Sequence, residues 1–269
     1  MIVVTGSEGF VGKHLVHALT EEGEEVWGAD IRTGTDLTSR DEAYRIEQGQ
    51  PNLIIHLAGS CSTPGSITDP VGTFRNTVIT AVNMLEVARR LSIPIIITSS
   101  VKARDGKTPY GAAKRMVELW AAEYADAYGL TVVVNRPGTI YGSGQEGSPE
   151  SGWIAWFCKA RDTNTPITIN GDGSQERDLL HVSDYVRLLM YQAIDPSRYR
   201  DTIWDVGGGD LNVVTVKQIA DHLGLTYTYG PERYGDSERY IGINDVPGWQ
   251  PWVKWWESDT LAARSLSPA

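Results

Sequence analysis

Tyr110 and Lys114 stand four residues apart in the stretch Tyr-Gly-Ala-Ala-Lys. On a helix this spacing places both side chains on one face. An ammonium group beside a phenol favours the phenolate, so we expect Lys114 to lower the pKa of Tyr110 from about 10 toward neutral pH. Such a tyrosine can take a proton from a hydroxyl group while a nicotinamide takes the hydride from the same carbon. An isolated pair at this spacing is more often a surface lysine beside a half-buried tyrosine, so the rest of the chain has to decide.

A glycine-rich segment follows the first apolar strand and reads Gly6-Ser-Glu-Gly9-Phe-Val-Gly12. In this context Gly6 permits a tight turn, Gly9 lets a pyrophosphate approach the backbone, and Gly12 lets a helix pack closely. The helix that begins here, with Phe10 and Val11 in its first turn, offers amide donors and a partial positive charge. The segment therefore predicts a dinucleotide site, with a G-x-x-G-x-x-G spacing rather than G-x-G-x-x-G.

The end of the second strand supplies the next part of that site. Asp30 lies at the distance from the glycines where a carboxylate accepts hydrogen bonds from the adenosine ribose. A carboxylate there repels a 2′-phosphate, which favours NAD over NADP. Arg32, two residues on past Ile31, weakens that preference without reversing it.

The positions of these residues depend on an alternation of strands and helices. Helical patterns cover residues 12–22, 73–91 and 110–128, and short β-branched runs lie between them. Continuous apolar strands separated by helices predict a parallel sheet covered on both faces, which is a doubly wound α/β fold of the Rossmann type with its ligand site at the carboxyl ends of the strands. The six runs are 2–5, 25–29, 53–57, 93–98, 131–135 and 203–206.

The alternation ends after Tyr141, where a segment rich in glycine, serine and proline begins. We expect residues 1–140 and 201–209 to form the Rossmann domain. Residues 141–200 and 210–269 are expected to form a smaller substrate-binding lobe that covers the site.

The composition limits the classes of function. Of 269 residues, 41% are hydrophobic and 22% charged, and the net charge is −10 with no basic block, so a nucleic-acid surface is not expected. The two cysteines, Cys61 and Cys158, suggest neither a disulfide framework nor a metal site and fit a reducing cytoplasm. No apolar run reaches membrane-spanning length, and the chain opens on a strand rather than on a signal peptide.

The order of the motifs resembles the extended short-chain dehydrogenase/reductase family, which contains the nucleotide-sugar epimerases and dehydratases. The resemblance covers nearly the whole chain and rests on the glycine segment, Asp30, Asp36-Leu37, His56-Leu57-Ala58-Gly59, Asn76, the Asn83–Arg89 helix end, and the pair Tyr110 and Lys114. It implies NAD as the cofactor. It places Asp36 and Leu37 at the adenine, and Leu57, Ala58, Gly59, Asn76, Thr98 and Pro137 along the cofactor.

The same resemblance assigns the catalytic roles. Tyr110 is the acid/base, and Lys114 holds the nicotinamide ribose and lowers the pKa of the tyrosine. The third catalytic residue is a hydroxyl at the end of the fourth strand, which favours Ser100 in Thr98-Ser99-Ser100, whereas Ser99 is expected to bond the backbone. The loop 101–109 is shorter than in the family. Because Val101-Lys102 replaces the Asp-Glu pair of the dehydratases, dehydration is not expected.

The second half of the chain carries the substrate signal. The strings Asn135-Arg136-Pro137 through Gly142 and Gly171 through Asp184 resemble the family's segments for the nucleotide part of the substrate. They imply substrate contacts from Arg136 and Arg177, in addition to Ser100 and Tyr110, because a guanidinium fork suits a diphosphate. Arg233, ahead of Gly235-Asp236, resembles the arginine that contacts the diphosphate in the family. His181 is expected at the junction of the lobes.

The segment around Trp153 and Trp156 is similar to the CDP-tyvelose (CDP-paratose) 2-epimerase branch. Their spacing allows both rings to form a wall for the base or sugar, or to belong to the core of the small lobe. Trp153 is the substrate-binding candidate.

These residues predict an NAD-dependent nucleotide-sugar epimerase that oxidises its substrate transiently and reduces it again on the opposite face, at C2 or at C4. A nucleotide-sugar ketoreductase that uses NAD(P)H and a non-catalytic dinucleotide-binding relative are the alternatives. The family analogy also suggests a homodimer through a helix pair that includes the Tyr110 helix.

Overall fold

The computed structural model describes residues 1–200 and 202–261. The predicted Rossmann segment 201–209 and the predicted lobe segment 210–269 therefore include residues, Asp201 and 262–269, that lie outside the described part. Twelve strands are numbered in chain order: β1 (Ile2–Thr5), β2 (Val26–Ala29), β3 (Leu53–His56), β4 (Ile95–Thr98), β5 (Val132–Pro137), β6 (Thr139–Tyr141), β7 (Ile167–Asn170), β8 (Glu176–His181), β9 (Ile203–Val206), β10 (Val213–Thr215), β11 (Tyr227–Gly230) and β12 (Arg239–Tyr240).

The helices surround and connect these strands. A π-helical segment at Arg75–Ile79 joins two of them into one continuous helical stretch, and 3-10 turns include Ile31–Thr33 and Val101–Ala103. The α-helices are α1 (Phe10–Glu21), α2 (Arg40–Tyr44), α3 (Thr63–Thr68), α4 (Pro70–Phe74), α5 (Thr80–Leu91), α6 (Pro109–Tyr128), α7 (Trp153–Thr163), α8 (Val182–Ile194) and α9 (Val216–His222).

The large sheet is fully parallel and has the order β2-β1-β3-β4-β5-β9. Four of its strands, at positions 2–5, 53–56, 95–98 and 132–137, are buried almost throughout, as expected for strands covered on both faces. The order reverses between β1 and β3, and a crevice forms at that point outside the carboxyl ends of the strands. The predicted doubly wound fold is confirmed.

Two apolar layers cover the large sheet. On one face, residues of α5 and α6 such as Met84 and Val117 pack against alternate strand residues. On the other face, α1 and α8 pack through residues such as Leu15 and Leu189. The packing differs from the expected lobe boundary here, because α8 lies on the large sheet although residues 141–200 were expected in the small lobe.

A smaller sheet and a third apolar cluster lie beyond the carboxyl edge of the large sheet. Strand β8 pairs with β6 and β12 in parallel and with β10 in antiparallel orientation, and β7 pairs with β11. The cluster includes Phe157, Ile169 and Ile219. Within the described residues, no helix is both long and apolar enough to cross a bilayer.

Candidate active site

The turn between β1 and α1 has the close backbone packing that its glycines predict. Gly6 has a positive φ of 68°, and a Cβ atom on Gly12 would lie 2.1 Å from the Gly6 carbonyl oxygen. Gly9 is the N-cap of α1, and within residues 1–200 and 202–261 no side chain caps that helix end. Amides in the first turn have no acceptor within the helix, so this uncapped end is free to bind an anion such as a pyrophosphate.

Asp30 lies beside that turn and is oriented by two backbone amides. Its Oδ2 accepts a hydrogen bond from the Glu8 amide at 3.1 Å, and its Oδ1 accepts one from the Arg32 amide at 2.9 Å. Each carboxylate oxygen keeps a further lone pair for a ribose hydroxyl. The Arg32 guanidinium bonds the Glu8 carbonyl at 2.8 Å and is thereby held beside the turn. Ile31 is largely exposed in the 3-10 turn that follows.

The segment expected at the adenine is also fixed. Asp36 accepts a hydrogen bond from the Thr38 amide, and its own amide donates to Glu42. The side-chain amide of Asn83, on α5, donates to the Leu37 carbonyl at 2.8 Å. The Asn83 helix end that the sequence singles out therefore supports the Asp36-Leu37 segment.

The end of β3 lies next to the end of β1. The Thr5 hydroxyl accepts from the amides of Leu57 and Ala58 at 3.2 Å each, and it lies 2.8 Å from His56 Nδ1. Burial, with the nearby charge of Lys114, lowers the pKa of His56 to about 3, so this imidazole is neutral.

Gly59 continues this edge toward Lys114. A Cβ atom on Gly59 would lie 3.7 Å from both the Asn76 carbonyl oxygen and Lys114 Nζ. Asn76 belongs to the π-helical segment, a distortion that often marks a functional site. The fold thus brings Gly59, Asn76 and Lys114 together although they are far apart in the sequence.

Tyr110 lies in the first turn of α6, which begins with the Thr108 hydroxyl as N-cap and Pro109 in the first helical position. Burial raises the pKa of Tyr110 to about 12, while hydrogen bonding to the Ser100 side chain acts in the opposite direction. The prediction that Lys114 lowers the pKa of Tyr110 is therefore wrong for the protein without ligands, because the loss of solvent around the phenol dominates.

Lys114 is almost fully buried one turn further along α6. Its Nζ donates to the Thr98 carbonyl at 2.7 Å, and burial lowers its pKa to about 8. The Thr98 hydroxyl lies 2.7 Å from the Tyr185 hydroxyl on α8. The end of β4 is thus held from both sides of the sheet.

The two serines after Thr98 have different roles. Ser100 is extended, caps the 3-10 turn by accepting from the Lys102 amide at 3.3 Å, and interacts with Tyr110. Ser99 is buried and donates to Glu118 at 2.5 Å. The expectation that Ser99 bonds the backbone is wrong, because a buried carboxylate on α6 lies opposite it.

Arg136 has a different partner from the one expected. Its guanidinium donates two hydrogen bonds to the Glu118 carboxylate, at 2.7 and 2.6 Å. This bidentate pair holds β5 against α6 and uses the fork that was expected to contact the substrate. Pro137 follows and is buried at the end of β5.

Arg177 is buried in the small lobe. It donates to the carbonyls of Glu176 and Ser237, forms an ion pair with Asp236, and lies 5.0 Å from the centre of the Tyr240 ring. Arg233 is exposed, and it donates to the Pro149 carbonyl at 2.9 Å and faces the Asn170 side-chain amide.

Trp153 and Trp156 pack partly buried against the apolar cluster of the small lobe, and the Trp153 ring meets Phe157 edge-on. This packing matches the second of the two roles that their spacing allowed. His181 lies at the junction as expected, with its ring against Tyr141 and its Nδ1 2.7 Å from the Ser183 hydroxyl.

The shortened loop 101–109 is joined by side chains to β9 of the large sheet and to residues 235–242. Arg104 forms an ion pair with Asp205 at 2.5 Å and donates to the Ile241 carbonyl. Asp105 accepts from the hydroxyls of Ser237 and Tyr240. The wall of the cleft is therefore built from two segments, 101–109 and 235–242, that are remote in the sequence.

Asp178 is a structural residue for which the sequence suggested no role. It is fully buried, accepts from the Gly242 amide at 2.8 Å, and has its pKa raised to about 6 by burial. A Cβ atom on Gly138 or Gly207 would lie 2.0 or 1.9 Å from its carboxylate oxygens. A sequence signal for this buried carboxylate does exist: Gly138 and Gly207 directly follow β5 and β9, which end side by side.

Comparison with known proteins agrees with this geometry. The model of the NAD dependent epimerase/dehydratase family matches residues 2–207. The CDP-paratose 2-epimerase of Salmonella typhi is 25% identical over 94% of this chain and 95% of that enzyme. This alignment runs over 325 positions, more than the 269 residues of the chain, so the chain lacks internal segments of that relative.

Solved structures are similar over nearly the whole chain. The UDP-glucose 4-epimerase of Thermotoga maritima, solved with UDP-glucose, superimposes with a TM-score of 0.89 at 26% identity, covering 97% of this chain and 96% of that one. The UDP-glucose 4-epimerase of Thermus thermophilus, solved with NAD, gives a TM-score of 0.88 at 25% identity with the same coverage.

Proposed function

The chain belongs to the NAD dependent epimerase/dehydratase family, and we propose that it epimerises a nucleotide sugar by transient oxidation, with NAD as its cofactor. The observation that carries this proposal is the position of Ser100, Tyr110 and Lys114 at the carboxyl edge of the parallel sheet, next to the uncapped N-terminus of α1.

The residues around this edge fit NAD. The glycine turn leaves the backbone open to a pyrophosphate, and Asp30 offers lone pairs to ribose hydroxyls and would repel a 2′-phosphate. Lys114 and the backbone of Gly59 and Asn76 form the part of the edge where a nicotinamide ribose would be held. Bound NAD would supply a hydride acceptor and donor for the sugar at this edge.

The protein's own residues move the proton. Tyr110 takes the proton of the sugar hydroxyl as a phenolate, and Ser100 hydrogen bonds the same oxygen and hands the proton across. The positive charge of Lys114 stabilises the phenolate when the cleft is closed to water. After the keto sugar turns its other face, Tyr110 returns the proton and the epimer results. The catalytic residues end each cycle in their starting protonation states.

The epimerised carbon is C2 or C4. Similarity to a CDP-paratose 2-epimerase supports C2, and similarity to UDP-glucose 4-epimerases supports C4. The absence of an acidic pair after Ser100, where Val101 and Lys102 stand, supports epimerisation rather than dehydration.

The test has two steps. The purified protein is denatured and any released dinucleotide is identified, and the intact protein is then incubated with CDP-, UDP-, GDP- and dTDP-sugars and assayed for epimers. We expect released NAD and an epimer from one nucleotide series. Tyr110→Phe should abolish turnover, while Tyr128→Phe, an exposed tyrosine at the far end of α6, should not.

Other outcomes would contradict the proposal. A protein that releases NAD but forms no epimer from any sugar is not an epimerase. A protein that purifies without dinucleotide and consumes NAD(P)H with a 4-keto sugar is a ketoreductase. Full activity of Tyr110→Phe would contradict the role of Tyr110 as the acid/base.

We further propose a homodimer in the cytoplasm. Met116, Leu119 and Trp120 form one face of α6, and they are 43%, 62% and 45% exposed. Their spacing places them together on the helix that carries Tyr110, where a second copy could cover them. Both cysteines are free, which fits a reducing compartment. Light scattering should show a dimer that Leu119→Glu converts to a monomer, and a monomeric parent protein would contradict this.

A further inference from the structure

Lys102 is held beside the catalytic residues by the backbone around it. Its amide donates to Ser100 Oγ at 3.3 Å, and a Cβ atom on Gly111 would lie 2.6 Å from its carbonyl oxygen. The turn at 101–103 therefore packs directly on the first turn of α6, which carries Tyr110. Because Lys102 is two residues from Ser100, their Cα atoms lie at most about 7 Å apart.

The ammonium group of Lys102 lies in a half-buried, partly aromatic environment. Its Nζ donates to the Thr63 hydroxyl at 2.8 Å and lies 5.1 Å from the centre of the Tyr240 ring. Burial lowers its pKa to about 8; Arg177 and Arg233 act in the same direction, and Asp236 and Asp105 oppose them. Among the residues that the structure describes, no carboxylate forms an ion pair with Lys102.

The neighbouring arginines differ from Lys102 in how their donors are used. Arg177 already bonds two carbonyls and Asp236, and Arg233 bonds the Pro149 carbonyl and faces Asn170. An ammonium has three donors, and one of those of Lys102 goes to Thr63. Lys102 therefore keeps two donors for a ligand and, unlike Arg177, has no ion-pair partner among the described residues.

A half-buried charge that lacks an ion-pair partner costs free energy in the free protein, although Asp236 and Asp105 attract it without pairing with it. That cost falls when an anionic ligand supplies the missing charge, so a site of this kind favours an anion. Lys102 lies close enough to Ser100 for the anion to belong to the same sugar unit whose hydroxyl meets Ser100 and Tyr110.

We propose that Lys102 is a substrate-binding residue whose ammonium group binds anionic oxygens on the sugar side of the nucleotide sugar. The oxygens belong either to a carboxylate on the sugar or to the phosphate that links it. This inference rests on the proposed function, because it takes a nucleotide sugar as the ligand, and it adds the residue that selects for charge near the reacting carbon.

Binding is measured separately from turnover. Dissociation constants for UDP, UDP-glucose, UDP-glucuronate, CDP and CDP-glucose are determined by calorimetry on the Tyr110→Phe background, with Lys102→Met, Lys102→Arg and Lys107→Met added in turn. Lys107 is the matched control, because it lies in the same loop with a largely exposed side chain.

Lys102→Met should weaken binding about tenfold, the loss expected for one charge-assisted contact. Lys102→Arg should keep affinity within about threefold, and Lys107→Met should leave it unchanged. A loss confined to UDP-glucuronate assigns the carboxylate. A loss shared by the nucleoside diphosphates and all their sugars assigns the phosphate.

Two results would overturn the inference. One is a Lys102→Met protein that binds every ligand as tightly as its Tyr110→Phe parent does. The same conclusion holds if the parent binds none of the ligands. The other is an equal loss for Lys102→Arg and Lys102→Met, which would indicate a structural role. Thermal unfolding of each variant confirms that it is folded. Weakened binding of Lys102→Met in a protein that forms no epimer would support Lys102 and contradict the proposed reaction, so the two failures are distinct.

Discussion

The two sides of the cleft are built in different ways. The cofactor side consists of backbone packed on backbone, as in the contact of Gly12 with the Gly6 carbonyl, and of carboxylates oriented by nearby amides, as at Asp30. The wall on the substrate side consists of charged side chains that join remote segments, as in the pair Arg104 and Asp205. The backbone packing on the cofactor side leaves no room for an added atom. On the substrate side, each substitution of a charged residue changes which segments are joined.

This difference explains why one fold can keep its cofactor and vary its substrate. A change in the glycine turn affects every ligand that uses the turn. A change in the 101–109 loop alters contacts with 235–242 and with Asp205 on the edge strand β9, at the opposite side of the large sheet from the glycine turn. The predictions below test this separation, beginning with the largest effect.

Gly12→Val should have the largest effect. Its side chain would overlap the Gly6 carbonyl, and we expect a loss of about 3 kcal/mol in the free energy of unfolding together with loss of bound NAD. Denaturant unfolding and dinucleotide content measure both. Gly23→Ala is the control, because nothing lies within 4 Å of the added atom and only its left-handed φ costs free energy. Equal effects of the two variants would contradict the tight packing.

Arg104→Met should act on the substrate side alone. It leaves the Asp205 carboxylate, only 9% exposed, without its ion-pair partner. Because Arg104 is itself one-third exposed, we expect a loss of about 1–2 kcal/mol in the free energy of unfolding. KM for the nucleotide sugar should rise, while bound NAD stays unchanged. Loss of NAD in this variant would show that the two sides are coupled.

Lys114→Met, at the boundary of the two sides, should make the protein more stable and at the same time inactive. In the folded protein the pKa of Lys114 is about 8, below its ordinary value, so the unfolded chain holds this proton more tightly. The protonated lysine therefore destabilises the fold below pH 8, and this effect is relieved as the pH rises from about 8 to 10.5.

We expect Lys114→Met to raise the free energy of unfolding at pH 7 by about 1 kcal/mol, after the loss of the hydrogen bond to Thr98 is taken into account, and to abolish turnover. The gain should shrink above pH 8. Lys107→Met should show neither change. A Lys114→Met protein that is less stable at every pH would contradict this account.

The smallest effect is a shift in a titration curve. Burial sets the pKa of Tyr110 at about 12, so its phenolate should be absent at neutral pH in protein freed of dinucleotide. A positive charge close to the phenol favours the phenolate, and added NAD should move this titration to lower pH. The absorbance of tyrosinate near neutral pH, compared with that of Tyr110→Phe, measures the shift. A titration curve that NAD leaves unchanged would show that the cofactor does not bind close to Tyr110.

On the cofactor side the sequence predicted the glycine turn and the start of the helix that follows it, because the signals there are local. Gly6, Gly9 and Gly12 follow a strand and begin a helix, and each requirement acts over a few residues. Asp30 and the Tyr110–Lys114 pair are fixed by a strand end and by helical spacing. The parallel sheet itself follows from apolar runs that only burial on both faces can stabilise.

The substrate side was predicted less well, because pairing between remote charges leaves no local pattern. Arg136 was expected at the substrate and instead bonds Glu118, and Ser99 bonds the same carboxylate. The pKa of Tyr110 depends on burial, which is a property of the whole fold.

The sequence by itself therefore determined the family, the sheet and the glycine turn before α1, since short-range geometry and apolar periodicity specify them. Only the tertiary structure decided which charges face one another across the cleft. Lys102 follows Ser100 in the sequence without any distinguishing motif. Its free donors become apparent only when Thr63, Arg177 and Tyr240 are brought around it, because the low-dielectric environment that gives a charge its importance exists only in the folded chain.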